Sequence, residues 1–275
     1  MKRLRVALVQ VASPNSETME ERRSRVAKLI RSSVGADLIV LPELWGAGYF
    51  AFDRYADEAE TLTGRTVQDA ATLAHELNAY IHIGSMVEKV AGGKYRNTAA
   101  LLDRSGTVIQ SYSKVHVFGY ESQEAHLLQP GEHLDVVDTE FGPVASTTCY
   151  DLRFPELWRR IVDLGAHTVV VPAAWPVARL EHWRLFTSAR AVEEQILVIA
   201  CNAVGKQGDV TLGGHSRIVD PWGTVLVEAG TDEGVTMCDV DPDIVADVRA
   251  RFPVLGDRLP SYAHLGTTEG EAANG

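Results

Sequence analysis

The sequence predicts an α/β protein, a four-layer α-β-β-α sandwich built from two related halves. Three observations carry that prediction. Short apolar runs alternate with amphipathic segments, the pattern of strands joined by covering helices. Some of those runs are continuously apolar, as strands covered on both faces are. The second half also echoes the first. Gly35-Ala36-Asp37-Leu38-Ile39-Val40-Leu41-Pro42-Glu43-Leu44-Trp45 aligns with Gly165-Ala166-His167-Thr168-Val169-Val170-Val171-Pro172-Ala173-Ala174-Trp175. Asp103-Arg104-Ser105-Gly106-Thr107-Val108 aligns with Asp220-Pro221-Trp222-Gly223-Thr224-Val225. The two pairs have unequal offsets, so this is no tandem solenoid. Two α-β halves of related topology can pack sheet against sheet.

Residues 5–10 read as a first strand. Residues 17–34 read as a helix with Met19, Val26, Leu29 and Ile30 on one face and arginines on the other, stopped by Gly35. The strand at 37–41 ends at Pro42-Glu43-Leu44-Trp45 and a loop at 46–49. A helix follows at 66–78, a strand at 80–88, and a hairpin at 98–103 and 107–113 that turns at Arg104-Ser105-Gly106. Residues 144–146 form a strand signal that runs into Thr147-Thr148-Cys149, and Pro155 with Glu156 suits a first helical turn. Residues 241–251 read as a last helix. The Pro-rich stretch at 252–264 is placed to clasp a neighbouring copy, so a homodimer or larger homo-oligomer is expected. One domain is expected over residues 1–265, with a small, polar, disordered tail at 266–275.

Composition removes several classes of function. At 275 residues and 45% hydrophobic, the chain can bury a large core. A net charge of −11 argues against a nucleic-acid partner, which calls for a basic stripe. No apolar run reaches the roughly 18 residues of a membrane span, and the start Met1-Lys2-Arg3-Leu4-Arg5 leads into a strand broken at Gln10 rather than a signal segment. Three cysteines, Cys149, Cys201 and Cys238, without metal-ligand spacing fit a reduced, cytoplasmic protein with no metal and no cofactor. Cys201 and Cys238 sit in strand-like runs and are expected in the core.

Cys149 is different. A lone cysteine is most often a small buried apolar residue, but this one closes a strand, precedes a turn and a helix, and is followed by Asp151, Arg153 and Glu156. Strand, nucleophile, turn, helix is the nucleophile-elbow arrangement. Glu43 follows a fully apolar strand and a proline, so desolvation would push its pKa toward that of a useful base. Ala173 at the matching place shows that the turn itself needs no carboxylate. Lys114 closes a hairpin strand. Glu124 lies in the acidic stretch Glu121-Ser122-Gln123-Glu124, which reads by default as a solvated cluster.

Taken together, Pro42-Glu43, Lys114-Val115-His116 and Cys149-Tyr150-Asp151-Leu152-Arg153-Phe154-Pro155-Glu156 resemble the nitrilase, or carbon–nitrogen hydrolase, superfamily. The resemblance runs from about residue 4 to 263 and includes Gln129-Pro130-Gly131 and Gly214-His215-Ser216. It implies an α-β-β-α sandwich that pairs into dimers or larger assemblies. It also implies a general base at Glu43, an oxyanion-stabilising cation at Lys114 that favours the thiolate, a nucleophile at Cys149 and a second glutamate at Glu124. A backbone N–H at Tyr150 would complete the oxyanion site. The Tyr150–Glu156 string looks like the omega-amidase and deaminated-glutathione amidase branches, acting on small amides that carry a carboxylate. Arg153 then binds the carboxylate, or else pairs with Glu156 or Asp151, and Tyr49 and Trp175 are candidates for the pocket wall. A nitrilase, an N-carbamoyl amidohydrolase and a non-catalytic or acyl-transferring scaffold remain alternatives.

Overall fold

The structure, a computed structural model, describes residues 3–261. The expected tail at 266–275 lies outside them. In chain order the elements are β1 (Leu4–Gln10), α1 (Met19–Arg31), β2 (Leu38–Val40), α2 (Arg65–Leu77), β3 (Tyr80–Val90), β4 (Lys94–Leu102), β5 (Val108–Ser113) and the one-turn α3 (Glu124–Leu127). The second half contains β6 (Val136–Thr139), β7 (Gly142–Ser146), α4 (Pro155–Asp163), β8 (Thr168–Ala173), α5 (Leu180–Glu193), β9 (Leu197–Asn202), β10 (Val204–Gln207), β11 (Val210–Gly213), β12 (Arg217–Val219) and β13 (Val225–Glu228). β14 (Gly234–Val240) and α6 (Ile244–Arg251) complete the order. The first helix is shorter than its apolar pattern suggests, because Thr18 caps it and exchanges hydrogen bonds with Glu21 in a capping box.

Two six-stranded sheets run β14-β1-β2-β3-β4-β5 and β13-β12-β9-β8-β7-β6. The repeat is therefore one of topology. β1, β2 and β3 pair in parallel, as do β7, β8 and β9, and each trio carries an antiparallel hairpin, β4–β5 or β12–β13. The echoed hairpin turns have matching geometry. Asp103 Oδ1 accepts from the Ser105 and Thr107 N–H groups, and Asp220 Oδ1 accepts from those of Trp222 and Thr224. An aspartate that folds back onto its own turn is the reason for the shared Asp-x-x-Gly-Thr-Val string.

Strand alternation builds three apolar layers. On β1, Leu4, Val6 and Leu8 face the second sheet, while Ala7 and Val9 face α1 and α2. On β9, Leu197, Ile199 and Cys201 face the first sheet, while Val198 and Ala200 face α4 and α5 beside Trp158 and Trp183. Apart from Arg5 near the start of β1, every side chain of these strands is covered, as continuous apolar runs require. Cys201 is thus a core residue. Cys238 is only partly covered, because β14 is an edge strand whose alternate residues, Met237 and Asp239, face solvent. It still packs against the core between the sheets, as expected, but at its margin.

Candidate active site

The ends of β2, β5, β7 and β8 meet at one place. Pro42 and Glu43 follow β2, and the Glu43 N–H donates to the Ala173 carbonyl at the end of β8 (3.4 Å), so the equivalent positions of the two halves touch. Gly84 makes room for this: a Cβ there would lie 1.9 Å from the Pro42 carbonyl oxygen. Lys114 leaves β5 with its N–H on the Asn97 carbonyl and its own carbonyl accepting from Gly131, both at 2.8 Å. A Cβ on Gly131 would meet the Ser113 carbonyl at 2.0 Å, which accounts for Pro130-Gly131 in the sequence. Cys149 follows β7 with φ at +47°, an unfavourable value for a side chain, and opens a 3₁₀ turn (Cys149–Arg153) that leads into α4. The order strand, turn and helix is the one expected from the sequence, and the strain at Cys149 is added by the structure.

The four charged or nucleophilic candidates converge and are almost wholly buried. Lys114 Nζ donates to Glu43 Oε1 and to both Glu124 oxygens, each at 2.9 Å. Glu43 Oε2 accepts from the Ala174 N–H (2.9 Å). Glu124 Oε2 accepts from Tyr49 Oη (2.8 Å) and the Phe118 N–H (3.0 Å). The Cys149 thiol lies close enough to Glu43 and the Ala174 N–H for both to act on its charge. Glu124 is therefore no solvated surface charge: a one-turn helix buries it completely, while Glu121 is exposed.

Burial raises the Glu43 pKa, with Glu124 adding to the rise and Lys114 opposing it. Burial alone would lower the Lys114 pKa, but Glu124 and Glu43 more than offset it and hold the ammonium charged. The Cys149 thiol is pushed well up, first by burial and then by the Glu43 anion, with Lys114 only partly compensating. Lys114 does favour the anion, as expected, but burial and Glu43 outweigh it. The resting group is a neutral thiol facing a carboxylate of raised basicity, so its proton must move to Glu43 as the sulfur attacks.

A half-open cleft lies over the thiol. Tyr49, Tyr150, Arg153 and Trp175, all singled out from the sequence, line it together with Phe118 and Arg179. Arg153 has no carboxylate partner among the described residues. It lies over the rings of Trp175 (5.0 Å) and Phe186 (5.1 Å) and near His182 Nδ1 (3.2 Å). Asp151 is engaged elsewhere: it accepts from Tyr112 Oη, the Thr148 and His116 N–H groups and His116 Nδ1, at 2.7 to 3.0 Å. That carboxylate ties the Cys149 turn to the Lys114 strand. Asn97 and Arg179 were not identified by sequence reasoning, and Asp151 was noted only as a charged neighbour of Cys149 and an alternative partner of Arg153. The signal for Asn97 was a polar residue beside the apolar run of β4, hidden because the strand reads as starting at Thr98.

A thiol, a carboxylate and a buried ammonium at one end of an α-β-β-α sandwich define a protein of the nitrilase-superfamily class. Among solved structures, a carbon–nitrogen hydrolase superfamily protein of Xanthomonas campestris superposes with TM-score 0.87 at 30% identity, covering 97% of this chain and 100% of that one. The Saccharomyces cerevisiae nitrilase-superfamily protein Nit3 gives 0.84 at 29% identity, covering 96% and 97%. The chain belongs to the carbon–nitrogen hydrolase family, whose profile matches residues 5–250. A 2-oxoglutaramate amidase of Paenarthrobacter nicotinovorans is 38% identical over 93% of this chain and 89% of its own. The omega-amidase NIT2 of Bos taurus is 33% identical over 93% and 94%.

Proposed function

We propose that residues 1–265 act as one catalytic domain, an omega-amidase that hydrolyses the terminal amide of a short carboxylate-bearing substrate through a Cys149 thioester. The convergence of Glu43, Lys114 and Glu124 behind the Cys149 thiol carries this reading. Glu43 takes the thiol proton as sulfur attacks the amide carbon. The developing oxyanion is met by the Lys114 ammonium and by N–H groups at the start of the 3₁₀ turn, Tyr150 among them, which have no intrahelical partners. Glu43 returns the proton to the departing ammonia, leaving a thioester. Water, deprotonated by Glu43, then releases the acid and the thiol. The net reaction consumes one amide and one water and yields one carboxylic acid and one ammonia. No step calls for a metal ion or a cofactor.

The omega-amidase reading rests on the guanidinium groups of Arg153 and Arg179 at the cleft, neither of which has a carboxylate partner among the described residues, together with the names of the relatives. An ammonia-release panel of 2-oxo dicarboxylate monoamides, neutral aliphatic amides, nitriles and N-carbamoyl amino acids tests it. Turnover is expected for the first group, and a preference for neutral amides or nitriles would refute it. A charged hydrogen bond is worth about 1.5–3 kcal/mol, so Arg153→Ala should lower kcat/KM for the carboxylate-bearing amide about 10- to 100-fold. Hydrolysis of a neutral amide should change less than about twofold, since the lost contact is absent there. An equal loss on both would show that Arg153 acts only on the structure.

The protein is proposed to work in the cytoplasm as a homodimer or larger homo-oligomer. Among the described residues, no helix is long and apolar enough to cross a membrane. Leu185 and Val192 on α5 are exposed, and beside them the exposed Trp222 stacks on Phe252 with ring centroids 6.1 Å apart. Apolar groups of that size at a surface mark contact regions. Sedimentation at micromolar concentration is expected to give about twice the 30.0 kDa chain mass or more. A lone 30.0 kDa species would refute the assembly.

A further inference from the structure

We propose that Asn97 is a positioning residue that holds the Glu43 carboxylate in place beside Glu124, and so sets the pH at which Glu43 works as a base. The proposal rests on the catalytic reading above.

Glu43 and Glu124 are two buried carboxylates that share a single ammonium, Lys114. Burial raises the Glu43 pKa and the neighbouring Glu124 adds to the rise, so the crowding favours a proton on Glu43. Such a proton would remove the base. Asn97 Nδ2 donates one hydrogen bond to Glu43 Oε1 (2.8 Å) and another to Glu124 Oε1 (3.0 Å). Hydrogen bonds to the ionised form lower a carboxyl pKa, and an amide nitrogen cannot take up the proton itself. The opposite amide orientation would point its oxygen at two carboxylates, so the assignment follows from the neighbours.

Two further observations separate this role from ordinary packing. Asn97 Oδ1 is buried and has no hydrogen-bond partner among the described residues. An orphaned buried acceptor costs stability, so the amide is not there to stabilise β4. The second half also manages without it: extending the alignment of the two Asp-x-x-Gly turns places Gly214 opposite Asn97. The backbone serves the same end, because the Asn97 carbonyl accepts the Lys114 N–H (2.8 Å). One residue thereby fixes the cation through its main chain and both anions through its side chain.

The test compares Asn97→Leu, which removes both donors while keeping the branched shape and number of side-chain heavy atoms, with Asn97→Ser, which keeps one. Two pH profiles are measured for each: kcat/KM for amide hydrolysis, and the rate of Cys149 alkylation by iodoacetamide, which needs Glu43 but no substrate. Losing donors to the ionised form raises the Glu43 pKa, so the acidic limb should move to higher pH. In Asn97→Leu the shift should be about one unit in both profiles, with kcat at neutral pH about tenfold lower and KM within about twofold. In Asn97→Ser the shift should be smaller and in the same direction, and this variant carries the test if Asn97→Leu does not fold. Reduced rates with an unmoved limb, or a shift seen in hydrolysis but not in alkylation, would overturn the proposal. Failure of the catalytic reading looks different, since alkylated wild-type enzyme would then continue to turn over, and that result would overturn both.

Discussion

Cys149→Ala is expected to abolish amide hydrolysis, lowering kcat by at least about 10⁴-fold, as loss of a nucleophile does in comparable covalent mechanisms. The expectation follows from where the thiol sits. Its sulfur faces Glu43 and the Ala174 N–H at the floor of the cleft, and the strained φ of Cys149 is the cost of holding it there. Alanine removes the thiol without disturbing the turn, because Asp151 still accepts from Thr148, Tyr112 and His116. The variant should therefore fold with an unchanged far-UV spectrum and still bind the carboxylate-bearing amide. Chelators should leave wild-type turnover unchanged, because Lys114 supplies the positive charge that the oxyanion needs. Substantial turnover by Cys149→Ala, measured as ammonia released, would refute the mechanism, and so would a chelator effect that metal reverses.

Much of the architecture was legible in the sequence because it rests on local chemistry. The apolar runs of β2 and β8 announce strands covered on both faces, and Asp103 and Asp220 announce the same self-bonded turn. Cys149, Glu43 and Lys114 were legible because each ends a strand, where a fold exposes side chains. Other parts depend on contacts far apart in the chain. Glu124 sits in a polar stretch that reads as solvated, and it becomes buried only when α3 folds back under Tyr49 and Lys114. Asp151 looked like a partner for Arg153, but the loop carrying His116 reaches it first. The protonation state of the thiol was unreadable for the same reason, since it depends on how much water the two sheets exclude.

Glu124→Gln is expected to lower turnover by at least about a hundredfold, the scale of a lost acid–base or electrostatic contribution, whereas the parallel Glu121→Gln should change it less than about twofold. Both glutamates lie in one acidic stretch and differ by three positions, so composition does not distinguish them. Their surroundings do. Glu121 is exposed and makes no ion pair among the described residues. Glu124 has donors on both oxygens: Asn97 Nδ2 and Lys114 Nζ reach Oε1, while Lys114 Nζ, Tyr49 Oη and the Phe118 N–H reach Oε2. A glutamine amide must place an NH₂ group at one of these positions, and in either orientation it meets obligate donors. Only Tyr49 Oη or a flipped Asn97 amide could accept its protons there, and either would forfeit a present hydrogen bond. The neutral side chain also removes half of the negative charge that holds Lys114, freeing the ammonium to pair more tightly with Glu43 and making that carboxylate a weaker base. The substitution should therefore depress kcat and move the acidic limb of kcat/KM to lower pH, while the Arg153-dependent preference for carboxylate-bearing amides persists. Parallel assays of the two variants decide the matter: if Glu121→Gln proves the damaging change, or if Glu124→Gln turns over like the wild type, Glu124 has no part in the catalytic group.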